Sequence, residues 1–244
     1  MSMLIANLPF IGKGLLMTLA LALLTLLFAT IVAAVMGLLA MVRPAVVRWT
    51  ARSLTELFRG VPLIVNVFFI YFGMPIFGLE LSPFVSIVIS LTIWGGANGA
   101  EIVRGGLRAV PAHQINSALA LGMKSWEVLL LIQAPQAFRS ILPAYVGLMT
   151  QIVQATSLGT LIGVTEFLRV GQSIVDRVTV MEGWNPAFAV YSGVLLVYFL
   201  ICSLLSAWGR QLERRSTLER ARPGAPGGDI APAPAKVPDA ILRT

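Results

Sequence analysis

The sequence predicts an all-α integral membrane protein with five transmembrane helices and one folded helical loop on a single face. Three observations predict it. The 244-residue chain is 57% hydrophobic and only 12% charged, whereas soluble domains carry roughly 25% charged residues. Its mean hydropathy of +0.85 is too apolar for a surface that faces water. Its charges are also segregated, leaving five long runs with none.

Those runs define the spans. A membrane-crossing helix needs about 20 largely apolar residues. There are 29 uncharged residues between Lys13 and Arg43, 20 between Arg59 and Glu80, and 20 between Glu80 and Glu101. A further 26 separate Arg139 from Glu166, and 27 separate Glu182 from Arg210. Spans are therefore expected over about 14–42, 60–79, 82–103, 141–164 and 184–208. Lipid offers no hydrogen-bond partners, so each run must satisfy its backbone internally as a helix. The runs are continuously apolar rather than alternating, which excludes a barrel. The first run is too long for the apolar core of a signal peptide and reads as an uncleaved anchor. The single cysteine, Cys202, permits no internal disulfide and reads as a small packing residue.

Five spans place the termini on opposite sides. The side of the N-terminus carries 3 Lys and Arg residues (Lys13, Arg169 and Arg177), and the other side carries the remaining 15 of 18. The positive-inside rule then puts the N-terminus outside and the C-terminus in the cytoplasm. The same rule accounts for the net charge of +7 without invoking nucleic acid. Residues 1–210 read as the membrane domain and 211–244 as a cytoplasmic tail. From about 223 that tail holds five Pro and three Gly within 223–240, a composition that buries too little surface to fold.

The cytoplasmic segment 109–137 fits neither a span nor a linker. Gln114 to Leu121 is rich in helix formers, and Gly122 can supply a left-handed residue that ends a helix. Ser125 reads as an N-cap, with Trp126 and Glu127 opening a second helix. Pro135 is expected to interrupt that helix, and Pro143 to begin the next span. The product is an apolar elbow bent around Gly122. It either packs on its own bundle or enters a partner's groove.

From Asn116 the chain reads Asn-Ser-Ala, three residues, Gly122, nine residues, Ile132, one residue, then Ala134-Pro135. This resembles the cytoplasmic loop signature of ABC importer permeases: Glu-Ala-Ala, three residues, Gly, nine residues, Ile, one residue, Leu-Pro. Arg59-Gly60-Val61-Pro62-Leu63, Ala100-Glu101-Ile102-Val103-Arg104-Gly105-Gly106, Ala134-Pro135-Gln136-Ala137 and Thr156-Ser157-Leu158 resemble motifs of the polar amino-acid subfamily. The resemblance covers about 10–210. It implies the type I importer permease fold, with the elbow as a coupling helix that docks on an ATP-binding subunit. Asn116, Ser117, Ala118, Gly122, Ile132 and Pro135 would carry that coupling. The family's acidic first position is Asn116 here, so a charge-assisted contact becomes a neutral hydrogen bond. The implied partners are two ATP-binding subunits, a second permease (the same chain or a related one) and an extracytoplasmic solute-binding protein. No cofactor is expected in this chain, since ATP and Mg would sit on the partners.

Polar residues inside spans tend to face a bundle interior or a water-filled path. Thr150, Gln151, Gln154 and Ser157 recur at helical spacing in the fourth span. They read either as inter-helix hydrogen bonders or as a pathway lining. Asn66 in the second span is a further pathway candidate. Glu101 closes the third span, where it either faces the pathway or pairs with Arg104. Many relatives carry Lys-Asp where this chain has Gln154-Ala155, which disfavours cationic cargo.

The chain holds three Lys, and none lies in a Gly, four residues, Gly-Lys-Ser/Thr loop, so ATP hydrolysis is assigned to another chain. One His and one Cys make no zinc motif. The expected function is ATP-driven import of amino acids by alternating access. An importer of another small polar solute is the nearest alternative. A stand-alone secondary transporter would need intramembrane acidic sites or broken helices, and a membrane enzyme would need nucleophiles that the spans lack.

Overall fold

A computed structural model describes residues 7–42 and 44–220, with side chains described through Leu212. The expected disordered tail from about 223 lies outside the described residues. Eight helices occur among those residues: α1 Leu8–Leu39, α2 Ala45–Gly60, α3 Leu63–Phe77, α4 Pro83–Arg108, α5 Ala112–Ala120, α6 Ser125–Ile162, α7 Phe167–Glu182 and α8 Ala187–Arg220. Helices α1, α4, α6 and α8 are long and apolar enough to cross a membrane. The pair α2 and α3, bent by 100°, makes a fifth when the two are counted as one broken span.

Helix α1 packs along α4. Its buried stripe runs through Gly14, Thr18, Leu21, Ala22, Thr25, Ala29, Ala33 and Gly37, a spacing of three and four that keeps one face in contact. Small residues dominate because lipid removes the hydrophobic drive between helices and leaves close packing to hold them. A Cβ on Gly99 would lie 2.6 Å from the Ala33 Cβ, and one on Gly96 would lie 2.5 Å from Val32 Cγ1. Neither position admits a side chain unless the helices part.

The segment after α1 is a helix rather than the basic loop expected from its arginines. Val46, Val47, Leu54 and Leu57 share one side of α2, and Arg48, Arg52 and Arg59 share the other. The following span begins at Leu63 rather than 60, because the chain turns a corner. Val61 and Pro62 are extended (φ −80° and ψ 128°, then φ −55° and ψ 133°). Proline disfavours helix at the residue before it and offers no N–H. The axes of α2 and α3 differ by 100°.

Helix α7 was also hidden among charges. Glu166, Arg169, Asp176, Arg177 and Glu182 end the apolar runs, so 166–182 reads as a loop. Yet Phe167, Val170, Gly171, Ile174, Val175 and Val178 are buried at helical spacing, and Val170, Ile174 and Val178 pack with Phe10, Ile11 and Val190.

Candidate functional site

The elbow is built as its composition requires. Helix α5 ends in a paired closure: Met123 N donates to Ala118 O at 3.2 Å, and Gly122 N donates to Leu119 O at 3.0 Å. Gly122 has φ +86°, the left-handed conformation this closure demands and glycine adopts at least cost. Helix α6 starts one residue earlier than expected, at Ser125 itself. Glu127 Oε2 accepts from Lys124 N at 2.7 Å, which makes Lys124 the boundary and Ser125 the first helical residue. Pro135 does not break the helix. A widened turn over Val128–Gln133, with Ala134 N donating to Leu129 O, precedes it and relieves the ring clash that proline makes in a regular helix. Pro143 likewise lies inside α6. The second arm of the elbow therefore runs directly into the fourth span as one continuous helix.

Of the six coupling candidates, Asn116, Ser117, Gly122 and Pro135 are exposed, Ile132 is half-buried and Ala118 is buried. Gln136 Nε2 donates to Gln114 Oε1 at 2.7 Å, tying α5 to the start of α6. Leu121 is 85% exposed at the tip, with Trp126, Leu130 and Leu131 also exposed. The bare apolar surface read from the sequence is present and uncovered within this chain.

The pathway candidates divide. Glu101 and Gln151, 50 positions apart, line one cavity of 220 Å³ with Arg59 and Asn98. Arg59 Nε donates to Asn98 Oδ1 at 3.4 Å, and Asn98 Nδ2 donates to Trp94 O at 2.9 Å. The ion pair between Glu101 and Arg104 is also formed, with Arg104 Nε donating to Oε2 at 2.7 Å and Nη2 donating to Oε1. Glu101 thus borders a cavity and is also paired with Arg104. The others lie elsewhere. Gln154 lies beside Cys202 on α8. Thr150 and Ser157 donate to Val146 O and Gln154 O of their own helix, at 3.1 and 2.7 Å. Asn66 is buried and donates to Ser90 O at 3.1 Å.

Sequence reasoning missed Glu166, which served only to mark the end of a run. Its side chain is 0% exposed. Oε2 accepts from Leu168 N at 2.9 Å, Tyr198 OH at 3.0 Å and Thr18 Oγ1 at 3.3 Å. Oε1 accepts from Arg169 N at 2.8 Å and from Thr160 Oγ1. The carboxylate caps α7 and joins it to α1, α6 and α8. An acidic residue directly before a helical apolar pattern was the available signal. Among the described residues, no group of three His, Cys, Asp or Glu side chains is placed to hold a metal.

The family model for the binding-protein-dependent transport system inner membrane component matches residues 27–218. The chain belongs to that family. It is 31% identical over 207 residues to the L-cystine transport system permease protein TcyB of Bacillus subtilis (strain 168), covering 85% of this chain and 86% of that one. It is 35% identical over 187 residues to the glutamine transport system permease protein GlnP of Escherichia coli (strain K12), covering 74% and 83%. Its fold is similar to a chain from the crystal structure of an amino acid ABC transporter with histidines (TM-score 0.78, 27% identity, 87% of this chain and 96% of that one). A chain of the inward-facing MetNI methionine ABC transporter shares the fold at a TM-score of 0.71 and 19% identity. The chain is a multi-pass inner-membrane transport subunit rather than an enzyme, and in such systems the ATPase is a separate subunit. Membership implies ATP-binding and solute-binding partners.

Proposed function

We propose that this chain moves amino acids across the cytoplasmic membrane by alternating access, as one of two permease subunits powered by two ATP-binding subunits. An extracytoplasmic solute-binding protein delivers the cargo, and ATP and Mg sit on the ATP-binding subunits. The N-terminus lies outside, and the tail from 211 lies in the cytoplasm below a membrane domain spanning 1–210. The observation that carries this reading is the apolar elbow. Its exposed tip at Leu121 is joined through the turn at Gly122 to the continuous helix that bears Gln151. A push on the elbow is thereby a push on the cavity wall. Asn116, Ser117, Ala118 and Gly122 form the docking end, and Ile132 and Pro135 seat it on the fourth span. Glu101 and Gln151, with Arg59 and Asn98, face the cargo. The amino-acid names of TcyB and GlnP support the substrate class.

The test is uptake by proteoliposomes that hold this chain with its ATP-binding and solute-binding partners. Amino-acid uptake that requires ATP supports the reading. Uptake by this chain alone without ATP would make it a secondary transporter, and ATP-driven uptake of only a non-amino-acid solute would keep the engine and change the cargo.

A further inference from the structure

Two cavities lie end to end against the same faces of α1 and α4, both covered by α2. The first, of 280 Å³, is lined by Arg52, Arg59, Arg104 and Arg108 against Glu56 and Glu101. The second, of 190 Å³, is apolar and is lined by Val32, Met36, Phe58, Ile93 and Ala97. Thr55 borders both. The polar cavity meets α1 at Ala40 and α4 at residues 100–108, while the apolar one meets α1 at 32 and 36 and α4 at 93 and 97. At about 1.5 Å of rise per residue, their centres on α4 lie roughly 12 Å apart along the axis. The polar cavity is nearer the elbow end of the spans, and the apolar one is nearer the membrane middle.

Charge and order along the membrane normal together name an occupant. The polar cavity has four cations against two carboxylates, and one of those carboxylates, Glu101, is already paired to Arg104. Arg52 Nη2 donates to Ala40 O at 3.1 Å, and its buried Nε has no partner among the described residues. An ATP-binding subunit stays outside the membrane and would not reach an apolar groove placed toward its middle. A molecule with an anionic head at the surface and apolar chains directed inward needs that order. The cover helix suits it as well. The exposed side of α2 carries Val46 and Leu57, and its opposite side carries arginines, the pattern of a helix lying in a membrane interface.

We infer that the cavity beneath α2 is a binding site for an anionic phospholipid of the leaflet at the elbow end. The phosphodiester sits among Arg52, Arg59, Arg104 and Arg108, and one acyl chain runs over Met36, Phe58 and Ile93. Arginine suits this role because its planar fork meets phosphate oxygens in pairs. The site shares Arg59 and Glu101 with the proposed cargo cavity, so its test uses Arg52 and Arg108, which line only the lipid cavity, and reads lipid and not transport.

The full chain is purified in mild detergent, exposed to an equimolar mixture of phosphatidylglycerol and phosphatidylcholine with identical acyl chains, and the retained lipid is counted by native mass spectrometry. A single phosphatidylglycerol per chain is expected to remain in preference to phosphatidylcholine. Arg52→Gln and Arg108→Gln are each expected to weaken retention about fivefold, the effect of one arginine near an anionic headgroup. Arg108 is exposed at a helix end, so that variant remains readable if Arg52→Gln misfolds. Exposed Arg210→Gln is the control for general surface charge and should leave retention unchanged. Equal retention of the two lipids, or an equal loss in Arg210→Gln, would overturn the site. Displacement of the lipid by inorganic phosphate would assign the arginines to a free anion instead.

Discussion

Two glutamates at opposite ends of the bundle show how the same side chain serves two purposes. Glu166 forms no ion pair among the described residues. Three hydroxyls and two backbone N–H groups from four helices hold its carboxylate out of solvent. Glu101 has one arginine, a part-exposed setting and two cavities at its sides. A buried carboxyl group is tolerated only when hydrogen bonds replace its water. At Glu166 that replacement is complete and joins helices. At Glu101 the carboxylate keeps capacity that faces open space. The comparison teaches that an acidic residue in a membrane protein marks a pathway only where its partners leave that capacity over.

Substitutions at the two sites should separate accordingly. Glu166→Ala leaves five donors without their acceptor. It should cost on the order of 3–5 kcal/mol, since each buried donor left unpaired costs about 1–3 kcal/mol and some can find new partners, and appear as loss of folded protein in a thermal melt. Glu101→Gln removes a part-exposed ion pair worth about 0–1 kcal/mol, so the melt should barely move. Uptake should fall roughly tenfold or more, as expected for a lost charge-assisted hydrogen bond to cargo. A large stability loss in Glu101→Gln with normal specific uptake would make Glu101 structural, like Glu166. Gly122→Val meets no steric neighbour, yet its φ of +86° should cost a branched side chain about 1–2 kcal/mol. The strain is confined to the elbow, so the subunits should still assemble and hydrolyse ATP while uptake is lost. Normal uptake in that variant would misplace the coupling elbow. Asn66→Ala should have the smallest effect, about 1 kcal/mol for one buried hydrogen bond. A drop in uptake at unchanged melting temperature would move Asn66 from the scaffold to the pathway.

The long spans were legible because charge-free runs are a one-dimensional signal. The elbow was legible because Gly122 and the residues around it encode their own geometry. Helices α2 and α7 were not, since each interleaves charge with apolar residues and breaks the runs that mark spans. Their periodicity was present in Val46, Val47, Leu54 and Leu57, and again in Val170, Ile174 and Val178. Pro135 misled because the widened turn that accommodates it leaves no mark in composition. Glu166 was invisible as a site because Thr18 and Tyr198 come from distant helices, 148 and 32 positions away. Glu101 and Gln151 were singled out separately, and only the packing of α4 on α6 brings them to one cavity.

The grip of an ATP-binding subunit on the elbow is tested most directly by cross-linking from its tip. Cys202 is the single native cysteine, so Cys202→Ala with Leu121→Cys gives one reactive position at the exposed tip of the elbow. In the assembled transporter this cysteine should cross-link to the ATP-binding subunit, with a yield that changes between nucleotide-free and ATP-bound states. Labelling of the same cysteine by a lipid-soluble reagent, with no cross-link in either state, would contradict the account.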